Sequence, residues 1–214
     1  MALDTRMPDV KGVVFDLGGV VIDWNPMHLY RKVFEGDEIK AANFLETICT
    51  GAWNGEQDAG RDLMQATAER VELFPEWARE IRAYYGRWIE MIGGPIPGTF
   101  ELMLELQAAG LQLFALSNWH CETFSRVRYD YPAFDLFEQI VLSGEHGVIK
   151  PDLRFYEIAL ACFGVPAENL IFVDDRAENI EGAIKAGMQG LVFTSAENLR
   201  NDLAALGVVP ATGA

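Results

Sequence analysis

Residues 99–207 alternate between helical and strand patterns, and this alternation limits the possible folds more than any other feature. The predicted elements are helix 99–109, strand Leu111–Leu116, helix 121–128, strand Gln139–Leu142, helix 153–162, strand Leu170–Val173, helix 177–186, strand Gly190–Phe193 and helix 196–206. Gly110, Gly164 and Gly187 stand where helix C-caps are expected. Such alternation is typical of a parallel sheet covered by helices on both faces. We therefore predict an α/β fold, a Rossmann-like three-layer parallel sheet.

Another strand is predicted before this region, at Val13, Val14 and Phe15. The run is apolar on both faces, as expected of a strand buried inside a parallel sheet. It ends at Asp16, and Gly18 soon breaks the pattern.

Residues 26–92 show helical spacing of apolar side chains and no convincing strand. The cluster Gly93–Gly98 then ends the helical pattern and is interpreted as a hinge. A stretch of this length is too long for a loop. We therefore predict an α/β core at 1–22 and 99–214, with a helical cap and its hinges inserted at 23–98.

The chain has 17 Lys and Arg against 32 Asp and Glu, a net charge of −15. This balance argues against a nucleic acid partner, which requires a basic face. A small anionic substrate is compatible, because a bound cation and helix N-termini create local positive sites. Apolar runs fall short of the ~20 residues that cross a membrane, and Met1–Lys11 lacks the apolar stretch of a secretory signal. We expect a cytoplasmic monomer or homodimer with no membrane partner.

Polar side chains follow four of the predicted strands, where parallel sheets bind ligands. A carboxylate at Asp16 can attack phosphorus and form a covalent intermediate. Asp174 and Asp175, together with Asp16 and the Gly18 carbonyl, offer the oxygen ligands that Mg²⁺ prefers. The remaining groups, which can hold a phosphate, are Ser117, Asn118 and Lys150.

Each of these residues also has a purely structural explanation. Asp16 can cap a turn, and the Asp174–Asp175 pair can cap helix 177–186. Ser117 and Asn118 suit a turn, and Lys150 can be a surface residue before a helix that begins with proline. Their joint occurrence at strand ends favours the functional explanation.

Four segments resemble, in order, the motifs of the haloacid dehalogenase superfamily: Phe15–Val20, Leu116–Asn118, Lys150–Pro151 and Phe172–Asp175. The insertion at 23–98 is similar to the helical type 1 cap of that superfamily. Residues 173–183 resemble the subgroup that contains bacterial sugar-phosphate phosphatases, such as glucose-1-phosphatase, and the phosphatase domain of soluble epoxide hydrolase.

The resemblance implies a Mg²⁺-dependent phosphomonoester hydrolase that acts on a small phosphorylated metabolite, with sugar phosphates as candidates, through an aspartyl-phosphate. Asp16 is then the nucleophile, Asp175 the main metal ligand, Asp174 a second or water-mediated one, and Gly18 a backbone ligand. The residues implied to hold the phosphoryl group are Ser117, Asn118 and Lys150, and Asn179 is implied to support the water shell of the metal.

The sequence departs from that family pattern at Gly18. Phosphatases of the family usually have a second Asp there, which acts as general acid and base, a contribution of ~10²–10⁴-fold. Asp23 and His120 are candidates to replace it. Two alternatives follow: a metal-independent 2-haloacid dehalogenase, or a catalytically degenerate binding protein. The acidic pair, and the lack of an aromatic residue two positions after the nucleophile, argue against the dehalogenase.

Overall fold

The computed structural model describes residues 9–210, and a five-stranded parallel sheet forms their centre. Residues 1–8 and 211–214 lie outside this range. They include most of Met1–Lys11, the segment predicted not to be a secretory signal. The strands are β1 Gly12–Phe15, β2 Ile22–Trp24, β3 Ile92–Pro95, β4 Gln112–Ser117, β5 Gln139–Leu142, β6 Leu170–Asp174 and β7 Gln189–Val192. The order in the main sheet is β5-β4-β1-β6-β7, with every neighbouring pair parallel.

Helices cover both faces of this sheet, which confirms the predicted α/β fold class. Their bounds are α1 Met27–Val33, α2 Glu38–Thr47, α3 Gly51–Asp58, α4 Leu63–Leu73, α5 Ala78–Gly86, α6 Thr99–Ala108, α7 Cys121–Ser125, α8 Ser143–His146, α9 Leu153–Phe163, α10 Ala177–Lys185 and α11 Ala196–Ala205. Within residues 9–210, no helix has the length and apolar character needed to cross a membrane.

Strand β1 is central because its side chains are apolar on both faces. Val13 and Phe15 pack with residues of α6 and α11, whereas Val14 packs on the opposite face with residues of α9 and α10. All four residues of β1 are buried. The residue that follows β1, Asp16, therefore emerges between the ends of β4 and β6.

Helices α1 to α5 lie between β1 and α6 in the chain, and their aromatic side chains pack together. The ring centroids of Tyr30 and Phe44 are 4.9 Å apart, and those of Trp53 and Tyr84 are 5.2 Å apart. Edge and tilted aromatic contacts of this kind stabilise a cluster of helices by more than the free energy of the buried area alone. The helices of the predicted insertion are present, and its extent of 23–98 stays a prediction.

The entry and exit of this helical region pair as a two-stranded antiparallel ribbon, β2 with β3. We predicted only a hinge at Gly93–Gly98, because Gly and Pro disfavour strands. Pairing with β2 overrides that local preference: Ile22 lies opposite Pro95, and the Ile96 N–H donates to the Val21 carbonyl at 2.9 Å. The ribbon holds both connections of the helical region side by side.

Candidate active site

Asp16 stands at the carboxyl end of the central strand with its side chain almost closed off from solvent. Its backbone N–H donates to the Val173 carbonyl at 2.8 Å, which continues the pairing of β1 with β6 by one residue. The residue is 8% exposed. Its Oδ1 atom is buried and lies 2.9 Å from Lys150 Nζ.

Lys150 joins three neighbouring strand ends through one buried ammonium group. Its Nζ donates to the Leu116 carbonyl and to Asp174 Oδ2, both at 2.7 Å. The same atom lies 2.9 Å from Asp16 Oδ1, an ion-pair distance. With Lys150 only 2% exposed, its charge is screened little by water, and it acts strongly on both carboxylates.

Asn118 fixes the backbone of Lys150. The Asn118 side chain donates to the Lys150 carbonyl at 3.0 Å and accepts from the Lys150 N–H at 2.7 Å. Both ends of the amide are therefore used within the protein. Ser117 is buried beside it at the end of β4. Direct contact of these two residues with phosphate stays a prediction.

Asp174 is wholly buried at the end of β6, and both of its oxygens are hydrogen bonded. Asn179 Nδ2 donates to Oδ1 at 2.9 Å and to Oδ2 at 3.0 Å. The Arg176 N–H adds a bond to Oδ1 at 2.9 Å. Tyr156 in turn donates to the Asn179 carbonyl at 2.7 Å. Asn179 thus orients Asp174, a contact that the sequence alone did not reveal.

Three carboxylates meet at this edge of the sheet. One oxygen each of Asp16, Asp174 and Asp175 lies within 4.8 Å of the others. Asp175 leans over Gly19, which has φ +80°, and a Cβ at that glycine would lie 2.7 Å from Asp175 Oδ2. Glycine is therefore required at residue 19 both by its backbone angle and by this close approach.

The cluster has the chemistry of a hard-cation site. Carboxylate oxygens at short mutual distance are the ligands that Mg²⁺ and similar ions take in proteins. Within the described part of the chain, the Lys150 ammonium is the group that faces the buried Oδ1 of Asp16. The residues present therefore fit a divalent cation.

Burial and mutual repulsion shift the titration of these groups. Burial raises the pKa of Asp16 to about 6; the Lys150 cation opposes this, and the Asp174 charge adds to it. Burial, followed by the Asp174 charge, also raises the pKa of Asp175. Burial lowers the pKa of Lys150, but the charges of Asp16 and Asp174 outweigh it, so that this pKa lies above its usual value. Lys150 is therefore cationic at neutral pH.

Removal of the Asp16 charge should stabilise the metal-free protein in a pH-dependent way. The folded-state pKa of about 6 exceeds the ordinary value of 3.8, so the folded state binds a proton more tightly than the unfolded chain, and ionisation disfavours folding. The difference in unfolding free energy, Asp16→Asn minus wild type, should grow from pH ~4 to ~6 and then level off. Urea unfolding in EDTA measures this difference. A difference that is constant across this pH window would contradict the raised pKa of Asp16.

The structure gives other partners to the two residues proposed to replace an acid at Gly18. Asp23 Oδ2 lies 2.8 Å from His28 Nε2. His120 Nδ1 accepts from the Glu122 N–H at 3.1 Å and so caps α7. A different acid is Asp58 at the end of α3, whose pKa is raised by burial first and by the Asp16 charge second. No sequence signal separates Asp58 from the other acids of the helical region.

Comparison with known proteins places this arrangement in a family. The haloacid dehalogenase-like hydrolase family matches residues 10–187. A sesquiterpene phosphatase of Aspergillus oryzae is 29% identical over 198 residues, which cover 86% of this chain and 90% of that protein. An (S)-2-haloacid dehalogenase of Pseudomonas fluorescens is 26% identical over 193 residues, or 85% of this chain and 83% of the relative.

Solved structures show the same fold. A HAD family enzyme of Bacteroides thetaiotaomicron, in complex with magnesium and inorganic phosphate, superposes with a TM-score of 0.63 at 21% identity, over 87% of this chain and 95% of that one. The family match covers well over half of the sequence and contains all of the strand ends described above. The protein therefore belongs to the haloacid dehalogenase-like hydrolase family.

Proposed function

We propose that the protein is a Mg²⁺-dependent phosphomonoester hydrolase that acts on a small phosphorylated metabolite, with Asp16 as the nucleophile. The observation that carries this proposal is the meeting of the buried Asp16 carboxylate with the Lys150 ammonium and the carboxylates of Asp174 and Asp175. A nucleophile, a fixed cation and a set of metal ligands are thereby combined at one sheet edge.

Four groups would hold the metal: the carboxylates of Asp16, Asp174 and Asp175 and the carbonyl of Gly18. When bound, the ion supplies positive charge to the phosphoryl oxygens and so stabilises the transition state. The phosphate complex of the Bacteroides relative concerns that protein alone, but the acid cluster of this chain gives independent support for a metal here.

The roles of the other residues follow from their contacts. Lys150 is held by the Leu116 carbonyl and by Asp174, so it presents its charge beside Asp16 without reorganisation, as transition-state stabilisation requires. Asp16 attacks phosphorus in line and becomes an aspartyl-phosphate, which water then hydrolyses. Ser117 and Asn118 complete the phosphoryl site at the end of β4.

The cap at 23–98 is proposed to close over the substrate. Ser143 Oγ, on the sheet side, donates to the Asp58 carbonyl at 2.5 Å, and Arg126 Nη1 donates to the Tyr85 carbonyl at 2.8 Å. Contacts of this kind hold the helical region over the strand ends and exclude bulk water from the reaction. Cap residues then set the choice of metabolite, and sugar phosphates are the candidates that the subgroup resemblance favours.

Phosphate release from a panel of sugar phosphates and other small phosphomonoesters tests the proposal. We expect release that requires Mg²⁺ and falls to background in EDTA, because Asp16, Asp174 and Asp175 repel one another and the phosphate when no cation is present. Restored release after Mg²⁺ is added back serves as the control. Equal rates with and without the metal would contradict the proposed metal site.

The metal-independent dehalogenase remains the rival, since two relatives are (S)-2-haloacid dehalogenases. In that reaction Asp16 attacks carbon, and Asp174 and Asp175 hold no metal. We expect no halide release from 2-chloropropionate, either with Mg²⁺ or with EDTA. Halide release in EDTA, with no phosphate release from the panel, would favour the dehalogenase instead. The absence of both phosphate and halide release would point to a binding protein.

A further inference from the structure

The site lacks an acid at residue 18, although the backbone there has room for a side chain. A Cβ at Gly18 would meet only the Cβ of Trp24, at 3.7 Å, an ordinary van der Waals contact. Crowding therefore does not explain the glycine. A phosphate ester with an alcohol leaving group still needs a proton on the departing oxygen, so another donor has to reach it.

Asp58 belongs to the helical region, and its main chain contacts residues that follow the strand ends. It is the last residue of α3, and its carbonyl accepts from Ser143 Oγ at 2.5 Å. Ser143 Oγ accepts in turn from the Trp119 N–H at 2.9 Å. Trp119 follows the Ser117–Asn118 pair directly, so this chain of bonds ties Asp58 to the loop that borders the phosphoryl site.

The backbone beyond Asp58 also lies close to the core. A Cβ at Gly60 would stand 2.7 Å from the Gly144 carbonyl oxygen, and φ at Gly60 is +94°. Glycine at residue 60 thus permits a main-chain approach that any other residue would obstruct. This approach fixes the end of α3 over the carboxyl ends of β4 and β5.

The Asp58 carboxyl group is held in one orientation by a buried relay. Asn54 Nδ2 donates to Asp58 Oδ2 at 2.7 Å, and Tyr85 donates to Asn54 Oδ1 at 3.0 Å. Asn54 is 8% exposed. One carboxyl oxygen, Oδ2, is thus fixed by Asn54. Asp58 also ends a helix, where the helix dipole disfavours a negative charge.

We propose that Asp58 is the general acid and base of the reaction and supplies from the helical region the function that Gly18 has lost. The assignment rests on the proposed phosphatase activity. It is carried by the bond from Ser143 to the Asp58 main chain, which ties the end of α3 to Trp119 after β4, and by the fixed carboxyl group of Asp58.

The electrostatics of the site agree with this role. Burial, together with the Asp16 charge, raises the pKa of Asp58 well above its ordinary range, and the His120 backbone opposes the shift. Asp58 in turn adds to the raised pKa values of Tyr84 and Tyr85. A carboxyl group that keeps its proton near neutral pH is what a donor to an alkoxide requires.

In this reaction Asp58 gives up one proton and later regains it. An Asp16 oxygen forms a bond to phosphorus while the bond from phosphorus to the ester oxygen breaks, and the ester oxygen keeps the electron pair and takes the Asp58 proton. The Asp58 carboxylate then takes a proton from water as the water oxygen bonds to phosphorus. The bond from phosphorus to Asp16 breaks, the electron pair returns to Asp16, and Asp58 is protonated again.

The test compares kcat/KM of wild type and Asp58→Asn on dinitrophenyl, phenyl and glycerol phosphates in Mg²⁺. We expect a loss of ~10²–10⁴-fold for glycerol phosphate and less than about tenfold for the dinitrophenyl ester, whose leaving group needs no proton. The ratio of kcat/KM between two esters, measured on one preparation, does not depend on any misfolded fraction. Asp62→Asn is the matched control: Asp62 is an exposed N-cap nearby, and Asn caps equally well.

Three results would overturn the assignment or its basis. An equal loss on all three esters would make Asp58 a residue of structure alone. Unchanged kcat/KM on every ester would show that Asp58 takes no part. If wild type hydrolyses none of the esters, the proposed phosphatase function itself fails, and this outcome is distinct because it does not involve the variant.

Discussion

Asp16→Asn should lower kcat for the best phosphomonoester by roughly 10⁴- to 10⁶-fold, the range seen when a nucleophile is removed from an enzyme that forms covalent intermediates. The amide is nearly isosteric with the carboxylate but cannot attack phosphorus. Asp16 also lies within ion-pair distance of Lys150 and beside the carboxylates of Asp174 and Asp175.

The loss should not come from unfolding. Because ionised Asp16 is disfavoured by burial and by Asp174, Asp16→Asn should unfold at a urea concentration no lower than wild type at neutral pH in EDTA. Asp202→Asn, an exposed change on α11, is the matched control and should keep full activity. Substantial turnover by a folded Asp16→Asn protein would remove the nucleophile from the mechanism.

Lys150→Met should impair both catalysis and folding. The buried ammonium is held between Asp16, Asp174 and the Leu116 carbonyl. Loss of one partner of a buried ion pair costs about 3–5 kcal/mol, because the remaining charge stays buried without compensation. Loss of a cation that faces the phosphoryl group should lower kcat a further ~10²–10³-fold in the fraction that folds. Urea unfolding and kinetics on active-site-titrated protein measure the two effects.

A double variant separates these two roles of Lys150. Lys150→Met with Asp174→Asn removes the carboxylate that the lysine leaves unpaired, so a coupling of about 1–3 kcal/mol should restore part of the stability. Activity should not return, because the phosphoryl group still lacks its cation. Additive losses of stability would show that the 2.7 Å contact of Lys150 with Asp174 contributes no net free energy.

The core of the site was predictable because it depends on strand ends. Strand β5 was predicted at the bounds that it has, and β1 ends one residue before Asp16 as its apolar run indicated. In a parallel sheet all carboxyl ends meet at one edge, so the side chains that follow β1, β4 and β6 were bound to lie together. Their proximity needed no knowledge of distant packing.

The features that were not predicted depend on contacts between residues far apart in the chain. Ser143 and Asp58 are 85 positions apart, and helical periodicity gives no indication that α3 ends over the carboxyl ends of β4 and β5. The bonds of Asn118 to the Lys150 backbone span 32 positions and were equally hidden. Strand β3 was missed because Gly93, Gly94 and Pro95 oppose a strand locally, and only the pairing with β2 stabilises it.

A rapid acid quench with a substrate labelled in its phosphoryl group tests the central claim most directly. During the first turnover in Mg²⁺, the label should become covalently bound to the peptide that contains Asp16 and then leave as inorganic phosphate. Asp16→Asn should bind none. Label attached to another residue, or phosphate released at the wild-type rate by Asp16→Asn, would contradict the mechanism.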